Sequence, residues 1–330
     1  MRMSKTQPAD VKPLMAIGIC TRDRHELLHR CLISLKNTTL PKRYRTELII
    51  VENAETLSIE SIIEELDLTM PVHLAAEPKI GYSSVRNRVL DMADEMGADI
   101  LLGVDDDEEV CENWVIAYEA ASELLPDCDV MMGPTNLRYA NGDEPSSIVQ
   151  SAGHWIERTQ PLKRAFGQRP YVPATMNYAL RKAVFSKQSG LGLRFDERFN
   201  KIGSEDTAFF FILENLYGGK LGWVPEARAF EDRLGKRDTL KFISERNARN
   251  QAAYFSIVLA HQKTQKTLPV ALSEIRQTTL KHAFYAFYHF IAAALYALDQ
   301  PQRAKKLFGT SVCHFKCLGA VTAAFKWRQL

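Results

Sequence analysis

Short apolar runs alternate with amphipathic stretches along the first 135 residues. Uninterrupted apolar runs bounded by polar residues are typical of buried strands, whereas apolar residues three and four positions apart indicate helices. The runs that predict strands are Met15–Cys20, Glu47–Val51, Val72–Ala75 and Ile100–Val104. The stretches that predict helices run from about Glu26 to Asn37, over Ile59–Leu66, and from the Gly81–Ser84 turn to about Met96. Strands that alternate with helices in this way predict an α/β fold with a mostly parallel sheet.

The second half of the chain is less regular. Further strands are predicted at Asp129–Pro134, Ala174–Leu180, Gly222–Val224 and Ala227–Glu231, and further helices at Thr207–Leu216 and Thr239–His261. Residues 138–170 mix polar with aromatic side chains and lack periodicity. Because long loops in compact domains are usually functional or mobile, we interpret this stretch as an excursion over the site.

Five consecutive acids, Asp105–Glu109, follow the strand predicted at residues 100–104. In open α/β sheets, ligands bind at the carboxyl ends of strands, and clustered carboxylates attract a hard divalent cation such as Mg²⁺ or Mn²⁺. An acidic start of the helix predicted at Cys111–Leu125 would also explain the last two of these acids, because carboxylates stabilise helix N-termini. A second acidic pair, Glu205 and Asp206, has the same two interpretations, a chemical role or a helix cap.

Charge is distributed unevenly along the chain. Residues 263–330 contain ten Lys or Arg and two Asp or Glu, a net charge of +8, so residues 1–262 carry −6 of the total of +2. A basic tail on an acidic body suggests that the tail meets an anionic partner, although a solvated tail would look the same. The acidic body argues against nucleic acid as a partner. The polar N-terminus, Met1–Pro13, shows no apolar signal-peptide core, which predicts a cytoplasmic protein.

Two common nucleotide-binding signatures are missing from the sequence. No Gly-x-Gly-x-x-Gly pattern follows the first predicted strand, and no Gly-Lys-Ser/Thr loop occurs, which argues against a dinucleotide fold and a P-loop. The six cysteines are scattered without a Cys-x-x-Cys pair, so we interpret most of them as reduced residues.

Several segments between Met15 and Asn250 occur in the order found in family 2 glycosyltransferases, and this part of the chain resembles that family. The segments that carry the resemblance are Ile19–Arg24, Ile50–Asn53, Gly81–Asn87 with a Gly-x-x-x-x-Arg-Asn pattern, Val104–Asp107 with an Asp-x-Asp motif, and Gly203–Asp206 with a Glu-Asp pair. The similarity is greatest to the bacterial exopolysaccharide and lipopolysaccharide branch. It implies a GT-A fold, which is a Rossmann-like, mostly parallel sheet flanked by helices, here followed by a helical C-terminal extension.

The resemblance also implies roles for individual residues. Asp105 and Asp107 are the expected ligands of Mg²⁺ or Mn²⁺. The residues expected to bind the nucleotide sugar are Thr21, Arg24, Glu52, Asn53, Arg86 and Asp106. Asp206 is the expected catalytic base, with Glu205 as the second candidate, and Asn177 fits an acceptor-side segment. The chain departs from the family at Glu52, where aspartate is more usual, and at Glu231, near which many members have a histidine that completes the metal shell.

We therefore predict a GT-A catalytic domain at residues 1–262, with a nucleotide-binding half at 1–135 and an acceptor half at 136–262. The expected function is the inverting transfer of a sugar from a nucleotide-diphosphate sugar to a lipid-linked saccharide acceptor in bacterial surface polysaccharide synthesis. A UDP-sugar is the first candidate for the donor. A nucleotidyltransferase is one alternative, but Thr21–Glu26 lacks the Gly-rich loop which that class normally carries. The second alternative is a non-catalytic, sugar-nucleotide-binding partner of an assembly complex. It would be expected to have lost one of the two acidic sites, and this chain keeps both.

Residues 263–330 form a basic, amphipathic and helical C-terminal region. Its segment Ala283–Leu298 is apolar and aromatic, but about four residues short of the roughly twenty that span a bilayer. A second apolar patch covers Leu318–Phe325, and basic residues lie around both. Two interpretations remain open. The helices contact an anionic membrane peripherally, at the inner face of the cytoplasmic membrane, or they pack on the catalytic body.

Overall fold

The computed structural model describes residues 12–139, 165–168, 173–200, 203–233, 239–246, 248, 252, 257 and 268–326. The chain divides into two compact units. The described residues of the first unit fall within Met1–Pro134, Arg164–Phe195 and Tyr217–Ala229, and those of the second within Thr135–Lys163, Asp196–Leu216 and Phe230–Leu330. The domain boundary predicted at residue 262 lies outside the described residues and stays a prediction.

A seven-stranded sheet forms the centre of the first unit, in the order β3-β2-β1-β4-β8-β6-β9. Its strands are β1 (Leu14–Thr21), β2 (Arg45–Glu52), β3 (Val72–Ala76), β4 (Ile100–Asp105), β6 (Val130–Met132), β8 (Asn177–Arg181) and β9 (Leu221–Trp223). Strands β3, β2, β1 and β4 pair in parallel, as do β6 and β9, and β8 runs antiparallel to both of its neighbours. The predicted α/β fold with a mostly parallel sheet is confirmed.

Helices of the first unit follow the strands in the predicted alternation. They are α1 (His25–Lys36), α2 (Glu60–Leu66), α3 (Tyr82–Glu95), α4 (Trp114–Leu124) and α5 (Lys182–Phe185). In α1 the buried residues are Leu28, Cys31, Leu32 and Leu35, which recur every three or four positions and so form one face. This face packs in the same core as the apolar residues of β1, β2 and β4.

Glycines allow close packing at the middle of the sheet, where Gly18 of β1 lies opposite Gly103 of β4. A Cβ atom on Gly103 would lie 2.1 Å from the ring of Tyr178, and a Cβ on Gly18 would lie 2.4 Å from Val89 of α3. Contacts this short are not tolerated in a packed interior, so both positions exclude a side chain.

The chain after the three aspartates differs from the prediction. Glu108 and Glu109 lie in a short strand, β5 (Glu108–Val110), and the next helix begins at Trp114 rather than at Cys111. The interpretation of both acids as helix-start residues is therefore wrong. The Glu108 carboxylate accepts a hydrogen bond from the backbone N–H of Asp105 at 3.1 Å, and Glu109 pairs with Arg30. These contacts hold an extended segment where the local sequence favours a helix.

The second unit contains two neighbouring strands, β7 (Thr135–Tyr139) and most of β10 (Ala229–Arg233), and the helices α6 (Glu205–Tyr217), α7 (Leu268–Tyr296) and α8 (Pro301–Lys326). The apolar segments predicted near the C-terminus belong to α7 and α8, which are longer than predicted. Most of the excursion at 138–170 and of the helix predicted at 239–261 lies outside the described residues. In the part of the chain that the structure describes, no helix is long and apolar enough to cross a membrane.

Candidate functional site

The ends of three neighbouring strands bring the predicted nucleotide-binding residues together. In the sheet register, Thr21 at the end of β1 lies beside Glu52 at the end of β2, and Cys20 lies beside Asp105 at the end of β4. Parallel pairing of these strands places all three ends at one edge of the sheet. This edge is the position at which open α/β sheets bind ligands.

Asp106 is the buried centre of this edge. One carboxylate oxygen accepts a hydrogen bond from the Thr21 hydroxyl at 2.8 Å, and the other accepts one from the Arg24 guanidinium at 2.9 Å. Burial raises the pKa of the Asp106 carboxyl, while Arg24 and Thr21 act in the opposite direction. Asp106 therefore fixes the loop that follows β1, and this contact brings Thr21 and Arg24 next to the aspartates.

Asp105 and Asp107 flank Asp106 and are more exposed, with 30% and 17% of their side chains accessible. Arg86 of α3 donates to Asp105 at 3.2 Å, and Arg24 donates to Asp107 at 3.2 Å. The two guanidinium groups offset the repulsion between neighbouring carboxylates. Burial opposes the charge of Arg24, but the aspartates outweigh this effect and raise the pKa of Arg24.

The two flanking aspartates fit a divalent cation that is shared with a substrate. No group of three acidic, histidine or cysteine side chains that could hold a metal occurs among the residues described in the structure. Mg²⁺ is typically bound in enzymes by one or two carboxylates together with substrate phosphates and water. Asp105 and Asp107 supply that number of carboxylates at an accessible edge, so a cation there would require oxygen ligands from the substrate.

Glu52 and Asn53 lie at the same edge but are buried, and they organise the adjoining loops. The Glu52 carboxylate accepts hydrogen bonds from both the backbone N–H and the hydroxyl of Ser58. The Asn53 amide group donates to the backbone oxygens of Glu77 and Lys79, and its oxygen accepts from the N–H of Gly81 at 2.9 Å. The sequence gives no signal for the Ser58 contact, because it depends on how the loop after β2 closes.

Asn177 occupies a buried, hydrogen-bonded position in the core of the first unit, and its acceptor-side role stays a prediction. Its side-chain oxygen accepts from Trp114 at 2.8 Å and from the Tyr118 hydroxyl at 2.7 Å. Its amide group donates to the backbone oxygens of Pro134 at 3.0 Å and Ala227 at 2.7 Å. An asparagine side chain can donate two hydrogen bonds and accept two, so all of its capacity is used here.

Glu205 and Asp206 belong to the second unit, in the first turn of α6. Two residues in the left-handed region precede them, Gly203 with φ of 80° and Ser204 with φ of 72°. Glu205 is buried, and the Asp206 carboxylate accepts a hydrogen bond from the N–H of Thr207 at 2.7 Å. Carboxylates in a first turn are stabilised by the helix dipole. Glu231 is buried in β10, and its role stays a prediction.

Comparison with known proteins gives four findings. Residues 16–131 match the family model described as glycosyl transferase family 2. The succinoglycan biosynthesis protein ExoM of Rhizobium meliloti (strain 1021) is 29% identical over 244 residues, which are 71% of this chain and 72% of that protein. The mannosyltransferase PcManGT from Pyrobaculum calidifontis, solved with GDP-Man and Mn²⁺, has a similar fold with a TM-score of 0.53 at 14% identity, over 98% of this chain and 92% of that one.

A fourth comparison extends the likeness in fold. GalNAc-T7, solved with UDP, GalNAc and Mn²⁺, gives a TM-score of 0.51 at 16% identity, over 68% of this chain and 43% of that one. At these identities the solved structures show the fold alone, and they agree with the sheet and helices described above. The family match over residues 16–131, the curated relative and the common architecture together confirm the resemblance to family 2 glycosyltransferases seen in the sequence, and the fold is similar to the GT-A fold.

Proposed function

We propose that this protein transfers a sugar from a nucleotide-diphosphate sugar to a saccharide acceptor during the synthesis of a bacterial surface polysaccharide. The match of residues 16–131 to the family 2 model supports glycosyl transfer, and the name of the relative ExoM, a succinoglycan biosynthesis protein, supports the polysaccharide class. The observation that carries the proposal is the convergence of Thr21, Arg24 and Arg86 on the aspartates at the end of β4.

The donor binds at this sheet edge in the proposal. Thr21, Arg24 and Arg86 grip the nucleotide, with Asp106 holding the first two in place and lying beside the ribose or the donor sugar. Glu52 and Asn53 shape the wall on which the nucleoside lies. A UDP-sugar is the first donor to test. Such a grip fixes the reacting atoms in a productive geometry, which removes much of the entropic cost of the reaction.

Asp105 and Asp107 would hold Mg²⁺ or Mn²⁺ together with the donor diphosphate. When bound, the cation supplies charge neutralisation to the leaving nucleoside diphosphate. Arg24 and Arg86, which now contact these carboxylates, lie close enough to the edge to add positive charge on the diphosphate as well. A lysine at either position would supply a point charge but lose the planar, bidentate geometry of the guanidinium.

Asp206 acts as the catalytic base in the proposal, with Glu205 as the second candidate. The acceptor hydroxyl gives its proton to the carboxylate as its oxygen attacks the anomeric carbon, and the nucleoside diphosphate leaves from the opposite face with its electron pair. This single displacement inverts the anomeric configuration. The hydrogen bond from Thr207 orients the Asp206 carboxylate, and Glu205, being buried, is the less accessible of the two acids.

The experiment is a panel of nucleotide sugars incubated with the protein and saccharide acceptors, lipid-linked ones included, with Mn²⁺ or with a chelator. We expect one donor to yield a glycosylated acceptor and a free nucleoside diphosphate, with inverted configuration at the new bond. Asp206→Asn should keep donor binding and lose transfer. Release of pyrophosphate would instead indicate a nucleotidyltransferase. Donor binding without turnover on any acceptor would favour the non-catalytic alternative.

A further inference from the structure

The two C-terminal helices of the second unit pair through small and polar side chains. Helices α7 and α8 run antiparallel, and we call them the C-terminal hairpin. The Ser311 hydroxyl of α8 donates to the backbone oxygen of Ala286 at 2.8 Å, and both residues are fully buried. The ring nitrogens of His282 and His314 lie 2.8 Å apart, and the rings of His289 and His314 stack with centroids 5.9 Å apart. The inner face of the hairpin is therefore narrow and partly polar.

The opposite face of α7 carries its large apolar side chains, and it is exposed. These residues recur at helical spacing over sixteen positions and form one stripe, about 22 Å long. The stripe consists of Leu280, Phe284, Phe287, Tyr288, Ile291 and Leu295, with between 54% and 73% of each residue exposed. A helix that packs in water normally turns its apolar stripe toward its partner. Here the arrangement is inverted, as in helices whose outer face meets lipid.

Basic residues border this stripe, and acids are missing from it. Between Ile275 and Leu298 the sequence has no Asp or Glu. Arg276 and Lys281 lie along the two edges of the stripe, judged from their helical positions relative to Phe284. Both are exposed, as are Arg303, Lys305 and Lys306 just beyond the turn between the helices. Arg303 also lies over the ring of Tyr296. The stripe is thus an apolar surface with a positive margin.

We infer that the stripe on α7 lies in the headgroup region of an anionic lipid bilayer, with the basic margin against the lipid phosphates. The aromatic and aliphatic side chains enter the boundary of the acyl chains, and the long Arg and Lys side chains reach the charged surface. A second copy of the chain fits this stripe less well than an anionic bilayer does. Two identical faces would bring the same positive margins together, whereas an anionic surface neutralises them.

The apolar faces do not make this hairpin a transmembrane element. The described part of α7 does not meet the length and hydropathy that a span requires. A helix with one apolar face and basic borders lies along the interface instead. The inference concerns attachment and does not depend on the proposed glycosyl transfer. A lipid-linked acceptor would, however, lie at the same surface.

Vesicle co-sedimentation of the full chain, without donor or acceptor, tests the inference. The vesicles are phosphatidylcholine alone and phosphatidylcholine with phosphatidylglycerol. We expect binding to the anionic vesicles, reduced by high salt, and little binding to the neutral ones. Phe284→Gln combined with Ile291→Gln should lower binding at least about tenfold, since each substitution removes the free energy gained when an apolar side chain moves from water into the bilayer. Lys305→Gln with Lys306→Gln should lower binding to anionic vesicles about tenfold or more.

A matched control carries the same polar changes at exposed apolar residues outside the hairpin, Leu124→Gln with Leu191→Gln, and should bind like the parent. Circular dichroism and the unfolding midpoint identify any variant that fails to fold. Unchanged vesicle binding of the stripe variant would overturn the inference. If vesicle binding is unchanged and the unfolding midpoint of the stripe variant is lowered, another part of the protein covers the stripe. If vesicle binding is unchanged and the parent forms a dimer that dissociates in the variant, a second copy of the chain covers it. Transfer activity is measured separately, so the two proposals fail independently.

Discussion

Replacing Asn177 with leucine tests the interpretation of this residue as a structural centre of the first unit. The side chains have similar volumes, but leucine removes four buried hydrogen bonds. They join Asn177 to the indole N–H of Trp114, the hydroxyl of Tyr118 and the backbone oxygens of Pro134 and Ala227. The Pro134 oxygen still accepts a hydrogen bond from the N–H of Ala229 at 2.9 Å, so three groups lose their partner. Burial raises the pKa of Tyr118 well above its usual value, so its hydroxyl stays protonated and needs an acceptor.

The magnitude follows from the number of groups left unpaired. A buried polar group that loses its partner costs about 1–3 kcal/mol, so the lower bound for three groups is about 3 kcal/mol. For a domain of this size, such a loss lowers the unfolding midpoint by roughly 6–12 °C. Tyr118→Phe removes only one donor and should cost about 1 kcal/mol.

Thermal unfolding followed by circular dichroism measures both variants. Asn215→Leu is the matched control, because Asn215 is exposed and makes one hydrogen bond to the backbone of Phe211. A midpoint for Asn177→Leu within about 2 °C of the parent would refute the reasoning, since the destabilisation expected from the lost hydrogen bonds is several times larger. An unchanged midpoint combined with loss of transfer to acceptor would instead support the acceptor-side role.

Three further predictions concern the sheet, the charged edge and the hairpin. Gly103→Ala should lower the unfolding midpoint because its Cβ would lie 2.1 Å from the Tyr178 ring, and Tyr178→Leu in the same chain should recover part of the loss; no recovery would contradict the steric account. Thr21→Val should weaken donor binding in calorimetry through loss of the 2.8 Å hydrogen bond to Asp106, with an effect of about tenfold or less; equal affinity would remove Thr21 from the site. Burial, helped by two neighbouring histidines, lowers the pKa of His314 from 6.5 to about 4. The unfolded chain therefore binds a proton that the folded hairpin resists, so stability present above pH 6.5 should fall as the pH drops toward 4, and His314→Asn should flatten that part of the melting profile.

The sequence predicts the parallel half of the sheet well because its strands are short apolar runs separated by amphipathic helices. Parallel connections then bring Thr21, Glu52 and Asp105 to one edge, so the candidate donor site could be predicted before any contact was known. The division of the aspartates, with Asp106 buried between two partly exposed neighbours, cannot be predicted from three consecutive aspartates in the sequence. It depends on Thr21 and Arg24, more than eighty residues away.

The failure of prediction at Glu108 and Glu109 has the same origin. The two residues look like acids at a helix start, but Arg30 and the backbone of Asp105 hold them in a strand. The hydrogen bonds of Asn177 could not be predicted from its neighbours in sequence either, because its four partners lie between 43 and 63 residues away. Local patterns specify elements, and contacts distant in sequence decide what their polar residues do.

The most direct test of the account is calorimetric binding of a nucleotide-sugar panel to the parent chain and to Asp107→Asn, each with Mn²⁺ and with a chelator. The variant keeps the size of the side chain but removes one carboxylate from the edge of the sheet. The account predicts that the parent binds at least one donor in a cation-dependent manner and that Asp107→Asn loses at least about tenfold in affinity, or about 1.4 kcal/mol. Cation-dependent binding of equal strength in both proteins, or binding of no donor by the parent, would contradict the assignment of this edge as the donor site.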